Sequence, residues 1–460
     1  MLKQENYQVN AVWHRLQHEI VEAGLCTHCG ACVGLAPGHL QMQQTAAGPL
    51  PAPVPGGRTV HLNEQAWAAC PGKGVDYPGL HEYLFGQQPQ SGLIGCYRRT
   101  FVGYAAPEDV RRAGASGGVI TQTLLYLLES GQIDGAVVVQ QGSTTPYLAA
   151  PRIATTRDEI LASAQSVYQP VPVNSILGKM AQFNGRLAYV GLPDQVASLR
   201  ELQRHGHPGA QKVDFVLGPY VGTNMYLEAI ASYLRAHDVH SLDDIAELKY
   251  RDGEWPGHLM IRLHDGRVFK AEKFYYNYLI PFFITQHTLL SVDFTNELTD
   301  ISVGDAWHPR FEAKGEGFSV VVARSEKGEH LLQEIADAGL AVLEETSLAD
   351  ALSMHGHMID FKKRGTFIRL AWRKKMGQRV PEFGYRPVAI PASRQFVELV
   401  ISSIFLVCGT PLARKIVEKI PLTIIGPLFD TLRKTWKNMS KPTKRKGLAT
   451  IKFKTMEIKD

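Results

Sequence analysis

The stretch VITQTLLYLLESGQIDGAVVVQ, residues 119–140, contains a helical pattern that is followed at once by a strand pattern. Residues 119–131 repeat apolar side chains at helical spacing, whereas 134–140 form a short apolar run typical of a buried strand. The strand pattern recurs at residues 186–192, 212–218 and 318–324, and a second helical pattern covers 224–237. Alternation of these two patterns predicts an α/β fold.

Composition narrows the class of protein. The chain has 460 residues, 45% hydrophobic and 20% charged, which is typical of a globular protein with two or three domains. Six cysteines are too few for a disulfide scaffold of this size, so we expect a reducing compartment. The first ten residues have no apolar core, and no run of about 20 apolar residues occurs. We therefore expect a cytoplasmic protein.

We expect three regions along the chain, and two proline- or glycine-containing breaks lie within or at the end of the first one. A proline–glycine segment at residues 46–57 lies inside the first region, and GQQPQSG at 86–92 ends it. We expect an iron–sulfur region at 1–90, a mixed α/β flavin-binding body at 91–385, and a helical, basic C-terminal tail at 386–460. Neither a Walker A loop nor a G-x-G-x-x-G sequence occurs, which argues against nucleotide sites of those two types.

The cysteines favour a metal centre. Cys26, Cys29 and Cys32 are separated by two-residue gaps in GLCTHCGACVGLAP (24–37). Such a loop wraps around an iron–sulfur cube, so that each thiolate reaches a different iron. The fourth ligand of a ferredoxin-type run is missing, because Ala36 precedes Pro37. Cys70 does precede a proline, and we assign it as the fourth ligand of one [4Fe–4S] cluster.

Other interpretations of this region are less favoured. A structural zinc held by the same four thiolates is the main alternative, although zinc knuckles usually present two separate C-x2-C pairs. We expect His28, inside the loop, to be an exposed bystander. The paired histidines of HGH (355–357) suggest a second metal only weakly, because isolated pairs are more often surface residues.

A glycine turn is the second candidate site. RRAGASGGVITQTLLYLL (111–128) places Gly114, Ser116, Gly117 and Gly118 directly before a helix. Small residues let backbone N–H groups approach an anion, and the helix N-terminus favours negative charge, so a flavin pyrophosphate would suit the turn. A plain turn in which Ser116 caps the helix explains the stretch equally well.

Three motifs together resemble a known family. GASGGVIT, YVGLPDQVASLR (189–200) and ELTDISVGDAW (297–307) are similar in sequence and order to the coenzyme F420 hydrogenase/dehydrogenase beta-subunit family. That family includes ferredoxin-dependent divinyl chlorophyllide reductases and hydroxymethyl chlorophyll reductases. The resemblance implies an FAD, at least one [4Fe–4S] cluster, and electron transfer between a one-electron carrier and a two-electron substrate. It also adds Thr121 and Asp305 to Ser116, Gly117 and Gly118 as expected flavin contacts.

Departures from the family pattern indicate a single cluster. Members with two clusters have four further cysteines, which here correspond to Asp194, Val221, Thr288 and Ser291. None of these side chains is a thiolate, so we expect no second cluster. The family's Ser-Lys-Tyr is altered as well, to Ser166-Val167-Tyr168.

The expected function is therefore that of an iron–sulfur flavoprotein oxidoreductase. Electrons would pass from ferredoxin or a similar carrier through the cluster to FAD and on to a small organic substrate, with a sugar-linked compound as one option. No acid or base can be named from the sequence. The alternatives are a non-catalytic electron-transfer subunit of a larger complex, and a degenerate scaffold with a structural zinc.

The C-terminal tail has a composition of its own. Residues 411–460 contain 13 Lys or Arg and 4 Asp or Glu, a balance of +9, so the other 410 residues carry −4 of the net +5. The body thus gives no reason to expect nucleic acid. Apolar stretches followed by a basic cluster and Trp436 suit peripheral contact with an anionic membrane. A helix packed on the body with a solvated basic end is the alternative.

Overall fold

A central eight-stranded sheet organises the molecule. The computed structural model describes residues 8–56, 59–142 and 145–458. The strands of the sheet, in chain order, are β1 (Arg99–Ala105), β2 (Gly135–Gln141), β3 (Ala149–Ala154), β4 (Leu187–Val190), β5 (Val213–Pro219), β6 (Ile301–Asp305), β7 (Ser319–Ala323) and β8 (Ala341–Glu345). Their spatial order is β8-β1-β7-β6-β5-β4-β2-β3.

The middle of the sheet is parallel and its flanks are antiparallel. Strands β2, β4, β5 and β6 pair in parallel, whereas β3, β7, β1 and β8 pair in antiparallel fashion. Parallel strands are covered on both faces, which explains why they are continuous apolar runs. The four predicted strands and two predicted helices are confirmed. The ends of the strands differ from the prediction by at most two residues and those of the helices by at most four. The mixed α/β class is confirmed as well.

Five of the helices are α1 (Val119–Glu129), α2 (Pro193–Arg204), α3 (Ala392–Cys408), α4 (Pro411–Val417) and α5 (Leu422–Arg445). Other helices of at least five residues are Ala11–Leu16, Glu64–Ala68, Tyr77–Phe85, Glu108–Ala113, Arg157–Leu161, Leu177–Gln182, Glu228–Arg235, Leu279–Phe283, Gln286–Leu290, Glu326–Asp337, Leu348–Asp360 and Thr366–Lys375. Short π-helical turns cover Gln17–Val21 and Phe361–Gly365.

Smaller sheets surround the central one. Ile245–Asp252, His258–Leu263 and Val268–Glu272 form a three-stranded antiparallel sheet. Two-stranded pairs join Gln8–Val9 with Thr59–Val60, Leu40–Thr45 with Gly48–Pro53, and Tyr385–Pro387 with Phe453–Thr455. The last pair ties the end of the described chain back to the residues that precede the tail.

The tail folds onto the body through buried charges. Arg394 in α3 is fully buried and donates Nε to Asp360 Oδ2 at 2.8 Å and Nη2 to Glu398 Oε2 at 2.9 Å. Arg369 from the body also donates to Glu398. Buried ions of this kind are tolerated only when they are paired, so α3 is held in one position.

The tail also exposes much apolar surface. Most large apolar side chains that are exposed in the described residues lie on α3, α4 and α5: Phe396, Leu399, Ile404, Leu406, Val407, Leu412, Ile416, Ile424, Leu428, Leu432 and Met439. Within the described residues no single helix has the length and apolarity needed to cross a membrane; α3 and α4 together reach that composition but meet at a bend of 77°.

Candidate functional site

A cleft of about 280 Å³ opens where the parallel strands end. Its walls include Val138 and Val139 of β2, Val190 of β4, and the segments 219–224 and 303–305 that end β5 and complete β6. Ligands of open α/β sheets bind beyond the carboxyl ends of the strands, and this cleft has that location. Of the residues expected at a flavin, Gly114, Ser116, Gly118, Thr121 and Asp305 line it together.

The glycine turn shapes one wall of the cleft. Gly118 precedes α1 with a φ of +73°, and a Cβ on Gly114 would lie 2.7 Å from the Gly118 Cα. At these two positions the turn is thus so tight that only glycine fits, and no side chain caps the first N–H groups of α1. The alternative in which Ser116 caps α1 is wrong, because its Oγ pairs with Ser319 Oγ at 2.8 Å instead.

Gly117 supports the glycine turn and does not line the cleft. Its N–H donates to Ser319 Oγ at 3.0 Å, and a Cβ there would lie 2.6 Å from the carbonyl oxygen of Gly103 in β1. Gly117 is not among the residues that line the cleft. This glycine therefore lets the turn cross β1, while Gly114 and Gly118 face the cavity.

A polar cluster closes the same end of the cleft. Arg251 is buried and donates Nη2 to the carbonyl oxygen of Ala115 in the glycine turn at 2.6 Å. Its Nη1 reaches Tyr168 Oη at 3.4 Å and Asp305 Oδ2 at 3.5 Å. Lys273 donates to Tyr168 Oη as well. Burial alone would raise the pKa of Tyr168, but Lys273 and Arg251 lower it to about 8.

Asp305 is held from three sides. The Trp255 indole donates to its Oδ1 at 3.3 Å, Arg251 reaches Oδ2, and His355 Nε2 donates to its backbone oxygen at 2.6 Å. Burial lowers the pKa of His355 to about 4, which keeps the ring neutral. The expectation that the two histidines of HGH (355–357) lie at the surface is thus wrong for His355, which is buried, and correct for His357, which is exposed.

The four expected cluster ligands lie together. Cys26, Cys29, Cys32 and Cys70 are free thiols, and burial raises the pKa of each, to about 12 for Cys70. Each is close enough to at least one of the others for their charges to interact. With raised pKa values the four groups are neutral thiols in this structure, and each would have to lose its proton to become a metal ligand.

Close backbone contacts hold the two cysteine-containing segments together. Gly72, two residues after Cys70, would put a Cβ 2.8 Å from the carbonyl oxygen of Leu25, which precedes Cys26. Gly30 has a φ of +84° and leads into the short helix Ala31–Gly34 that carries Cys32. The turn of Cys70 and the loop of the other three cysteines are therefore packed backbone to backbone.

The surroundings of His28 in the cysteine loop differ from the expectation. His28 is not an exposed bystander: it is 4% exposed, its Nδ1 lies 2.8 Å from the oxygen of Pro49, and its ring packs 5.1 Å from that of His287. Among the described residues, no three His, Cys, Asp or Glu side chains are arranged to hold a metal ion. The thiols are thus near one another without forming the tight shell of a mononuclear site.

One residue connects the thiols with the cleft. The Asn174 N–H donates to the carbonyl oxygen of Cys29 at 2.9 Å, and its side chain donates to the oxygen of Gln195 at 3.1 Å. Gln195 lines the cleft, as do Val171 and Val173. A single layer of chain therefore separates the cysteine loop from the cavity.

Most of the residues that replace the second-cluster cysteines of the family take part in a polar network. Ser291 Oγ donates to Asp194 Oδ1 at 3.4 Å, and buried Lys362 donates to the oxygen of Thr288 at 2.6 Å. Burial raises the pKa of Asp194 to about 6, although Lys362 opposes this. Three of the four positions thus lie around an ammonium and a carboxyl group.

Comparison with known proteins places the chain among redox proteins. Two sequence models of the "Coenzyme F420 hydrogenase/dehydrogenase, beta subunit" match it, the N-terminal model at residues 100–178 and the C-terminal model at residues 184–348. The coenzyme F420-dependent sulfite reductase of Methanocaldococcus jannaschii is 26% identical over 334 residues, which are 68% of this chain and 46% of the reductase. The chain thus spans about half the length of that relative.

Two further matches cover nearly the whole of the matched protein. The coenzyme F420 hydrogenase subunit beta of Methanococcus voltae is 24% identical over 63% of this chain and 99% of the matched protein. A chain in a structure of the F420-reducing [NiFe] hydrogenase complex from Methanosarcina barkeri superposes with a TM-score of 0.50 at 21% identity. It covers 64% of this chain and 98% of its own length, which shows a shared fold.

Proposed function

This chain belongs to the coenzyme F420 hydrogenase/dehydrogenase beta-subunit family, and from that membership we propose that it is an iron–sulfur flavoprotein oxidoreductase. Ferredoxin or a similar one-electron carrier is its electron donor, and a small organic molecule is its acceptor. The observation that carries the proposal is the single layer at Asn174 between the four thiols and the cleft.

The thiol group fits one [4Fe–4S] cluster. Cys26, Cys29, Cys32 and Cys70 supply four sulfur ligands, which is the donor set of such a cluster. The positions with Asp194, Thr288 and Ser291 offer no thiolate for a second cluster.

The cleft is proposed to bind an FAD. The tight turn of Gly114 and Gly118 and the N-terminus of α1 lie in one wall of the cleft, where backbone N–H groups favour a phosphate. Ser116, Thr121 and Asp305 supply polar groups along the same wall, and Gly117 supports the turn from behind. When bound, the flavin would exchange single electrons on one side and a hydride on the other. The regions 1–90 and 91–385 then correspond to cluster and flavin.

The content of cofactors tests this function. Protein purified without oxygen is expected to contain about four irons and four sulfides per chain, with one FAD. One zinc without labile sulfide would support the scaffold alternative, and about eight irons would contradict the single cluster. Cluster without flavin would remove the oxidoreductase proposal.

A second candidate function rests on the comparisons. The matched proteins from M. voltae and M. barkeri are named as a hydrogenase subunit and a hydrogenase complex. This chain would then be an electron-transfer subunit that acts on no organic substrate itself and works with a protein partner, and coenzyme F420 would be an option in an organism that makes it. A stable flavin spectrum without turnover of any small molecule would favour this function.

The tail is proposed to make peripheral membrane contact. Its exposed apolar side chains lie next to Arg433, Lys434, Lys437, Lys441, Lys444, Arg445 and Lys446. Apolar surface beside a basic cluster is typical of proteins that lie on anionic membranes, where each basic residue contributes about 1 kcal/mol. The protein would then be cytoplasmic and reversibly attached to a membrane.

A further inference from the structure

We propose that Tyr168 is the proton donor of this oxidoreductase, and that the substrate is a polarised double bond that accepts a hydride and a proton together. The inference rests on the proposed function, because it needs a bound flavin in the cleft. It goes beyond it by naming an acid and a class of substrate.

Tyr168 lines the cleft and is fixed in place. Its backbone oxygen accepts from the N–H of Met225 at 2.8 Å, and its ring packs edge-on against Tyr250 with centroids 5.5 Å apart. Its hydroxyl is in contact with Lys273 and Arg251. The phenol is thus held rigidly at the end of the cleft that contains the glycine turn and Asp305.

The charges around the hydroxyl favour loss of its proton. Lys273 comes from the short helix Lys273–Tyr276, Arg251 from the strand Ile245–Asp252, and Asp305 from the end of β6. Two basic side chains therefore face the hydroxyl, and the single carboxylate is already shared between Arg251 and Trp255. Burial lowers the pKa of Lys273, and the charge of a Tyr168 phenolate opposes this. Tyr276 also contacts Lys273, at 3.2 Å, but its own hydroxyl donates to the oxygen of Tyr250.

A second phenol in the cleft shows that the environment of Tyr168 is special. Tyr220 lines the same cavity, and burial raises its pKa to about 12 although Arg324 opposes this. The pKa of Tyr168 is lowered to about 8 instead. A general acid works best with a pKa near the operating pH, so only one of these two phenols is suited to release a proton.

The reaction balances with groups already named. A substrate C=C, C=N or C=O that takes a hydride from reduced flavin gains two electrons and one hydrogen, and negative charge develops at its other atom. Tyr168 gives its proton to that atom, and the flavin is left oxidised. Lys273 and Arg251 stabilise the phenolate that remains until solvent returns a proton.

Titration of the phenol tests the acid without any substrate. In protein as purified, we expect one tyrosine to form phenolate near pH 8, seen as a step in ultraviolet absorbance. The step should be absent from Tyr168→Phe, shifted to higher pH in Lys273→Met, and kept in Tyr83→Phe, whose ring is half exposed and remote from the cleft. The same step in Tyr168→Phe as in the wild type would overturn the assignment.

Transfer from reduced protein tests the catalytic role. Protein reduced with dithionite would be mixed with coenzyme F420, which takes a hydride and a proton, or with ferricyanide, which takes single electrons. For Tyr168→Phe we expect F420 reduction to fall by about 10²- to 10⁴-fold while ferricyanide reduction is unchanged. An equal fall with both acceptors, or a wild-type rate with both, would contradict proton donation. Flavin content, measured in the same samples, separates either result from a failure of the proposed function.

Discussion

At the scale of single residues, the proximity of the four cysteines could be predicted from the sequence, and the contacts of Tyr168 could not. Two-residue gaps and a Cys-Pro pair led to four thiols that the structure brings together, whereas Tyr168 meets Arg251 and Lys273 from 83 and 105 residues away. Such a cluster exists only after folding, because no local pattern links its members. The burial of His28 was missed for the same reason, since Pro49 and His287 cover it.

Replacing one thiol tests the ligand assignment. Cys70→Ser is expected to lose most of the iron and sulfide, because an alcohol is a poor ligand for iron in place of a thiolate. Cys408→Ser is the matched control, since Cys408 lies at the end of α3 and takes no part in the thiol group. Iron and sulfide analysis after anaerobic purification measures both. Equal cluster content in the two variants would exclude Cys70 as a ligand.

Substitutions at Gly34 and Gly178, which lie close together but have different neighbours, test the packing of the cysteine loop. A Cβ on Gly34 would lie 2.1 Å from the oxygen of Asn174, so Gly34→Ala is expected to destabilise the protein by about 1–3 kcal/mol. Gly178→Ala should be neutral or stabilising by about 0.5–1 kcal/mol, because its nearest neighbour is 3.9 Å away and alanine favours the helix Leu177–Gln182. Urea denaturation of both variants measures the difference. A Gly34→Ala protein as stable as the wild type would show that the loop moves freely away from Asn174.

At the scale of elements, alternating patterns predicted the strands and helices of the body but could not predict how the tail packs. The apolar run of α3 contains Glu398, which appears as an interruption in the sequence and is the fully buried partner of Arg394 and Arg369 in the fold. The tail therefore both packs on the body and exposes an apolar face. The two interpretations that the sequence left open are compatible.

This packing decides how membrane contact is best tested. Removing the tail near Pro391 would take Arg394 away from Asp360 and Glu398 away from Arg369, and so disturb a buried ion group of the body. Point variants are therefore cleaner. The double variant Leu406→Glu, Leu412→Glu changes two exposed side chains near the bend between α3 and α4. We expect the wild type to float with anionic liposomes at low salt and this variant to stay in the soluble fraction.

Val342→Glu is the control for that experiment. Val342 is also an exposed apolar residue, but it lies in β8, outside the tail. Flotation of Val342→Glu should equal that of the wild type. If the tail variant floats as well as the control does, the apolar face has another use, such as docking to a protein.

At the scale of the whole molecule, one buried ion group joins the first region of the chain to the body. Glu297 lies before β6 and pairs with Lys363 and His81, while Lys363 also donates to Tyr385 Oη at 2.6 Å. Burial would raise the pKa of Glu297, but Lys363 and His81 outweigh it and lower that pKa to about 2. The carboxylate is therefore stabilised by contacts that only the folded chain makes.

The pH dependence of stability in acid should reveal the contribution of Glu297. A carboxyl with a lower pKa in the folded state contributes stability above its unfolded pKa of 4.5, and loses it as the pH falls towards about 2. We expect the urea midpoint to fall across that window. Burial raises the pKa of Asp293 to about 7, so its opposite effect occurs at higher pH and stays separate.

Replacing Lys363 tests whether Glu297 is the source of the acid sensitivity. Lys363→Met leaves Glu297 buried without its main partner, which is expected to cost about 3–5 kcal/mol near neutral pH. The loss of stability between pH 4.5 and 2 should then become smaller, because the pKa of Glu297 is no longer held down. An unchanged acid profile in this variant would mean that other carboxyl groups control acid unfolding.

The tail rests on both elements that hold the polar end of the cleft. Gly426 in α5 lies against Tyr275 and Arg433 lies over the Phe274 ring at 4.9 Å, in the short helix that carries Lys273. Asp360, the partner of Arg394, ends the helix that carries His355. A tail exchanged between relatives would therefore change the contacts with both of these elements. For engineers, a C-terminal fusion or a chimaera at this junction is also a change to the polar end of the cleft.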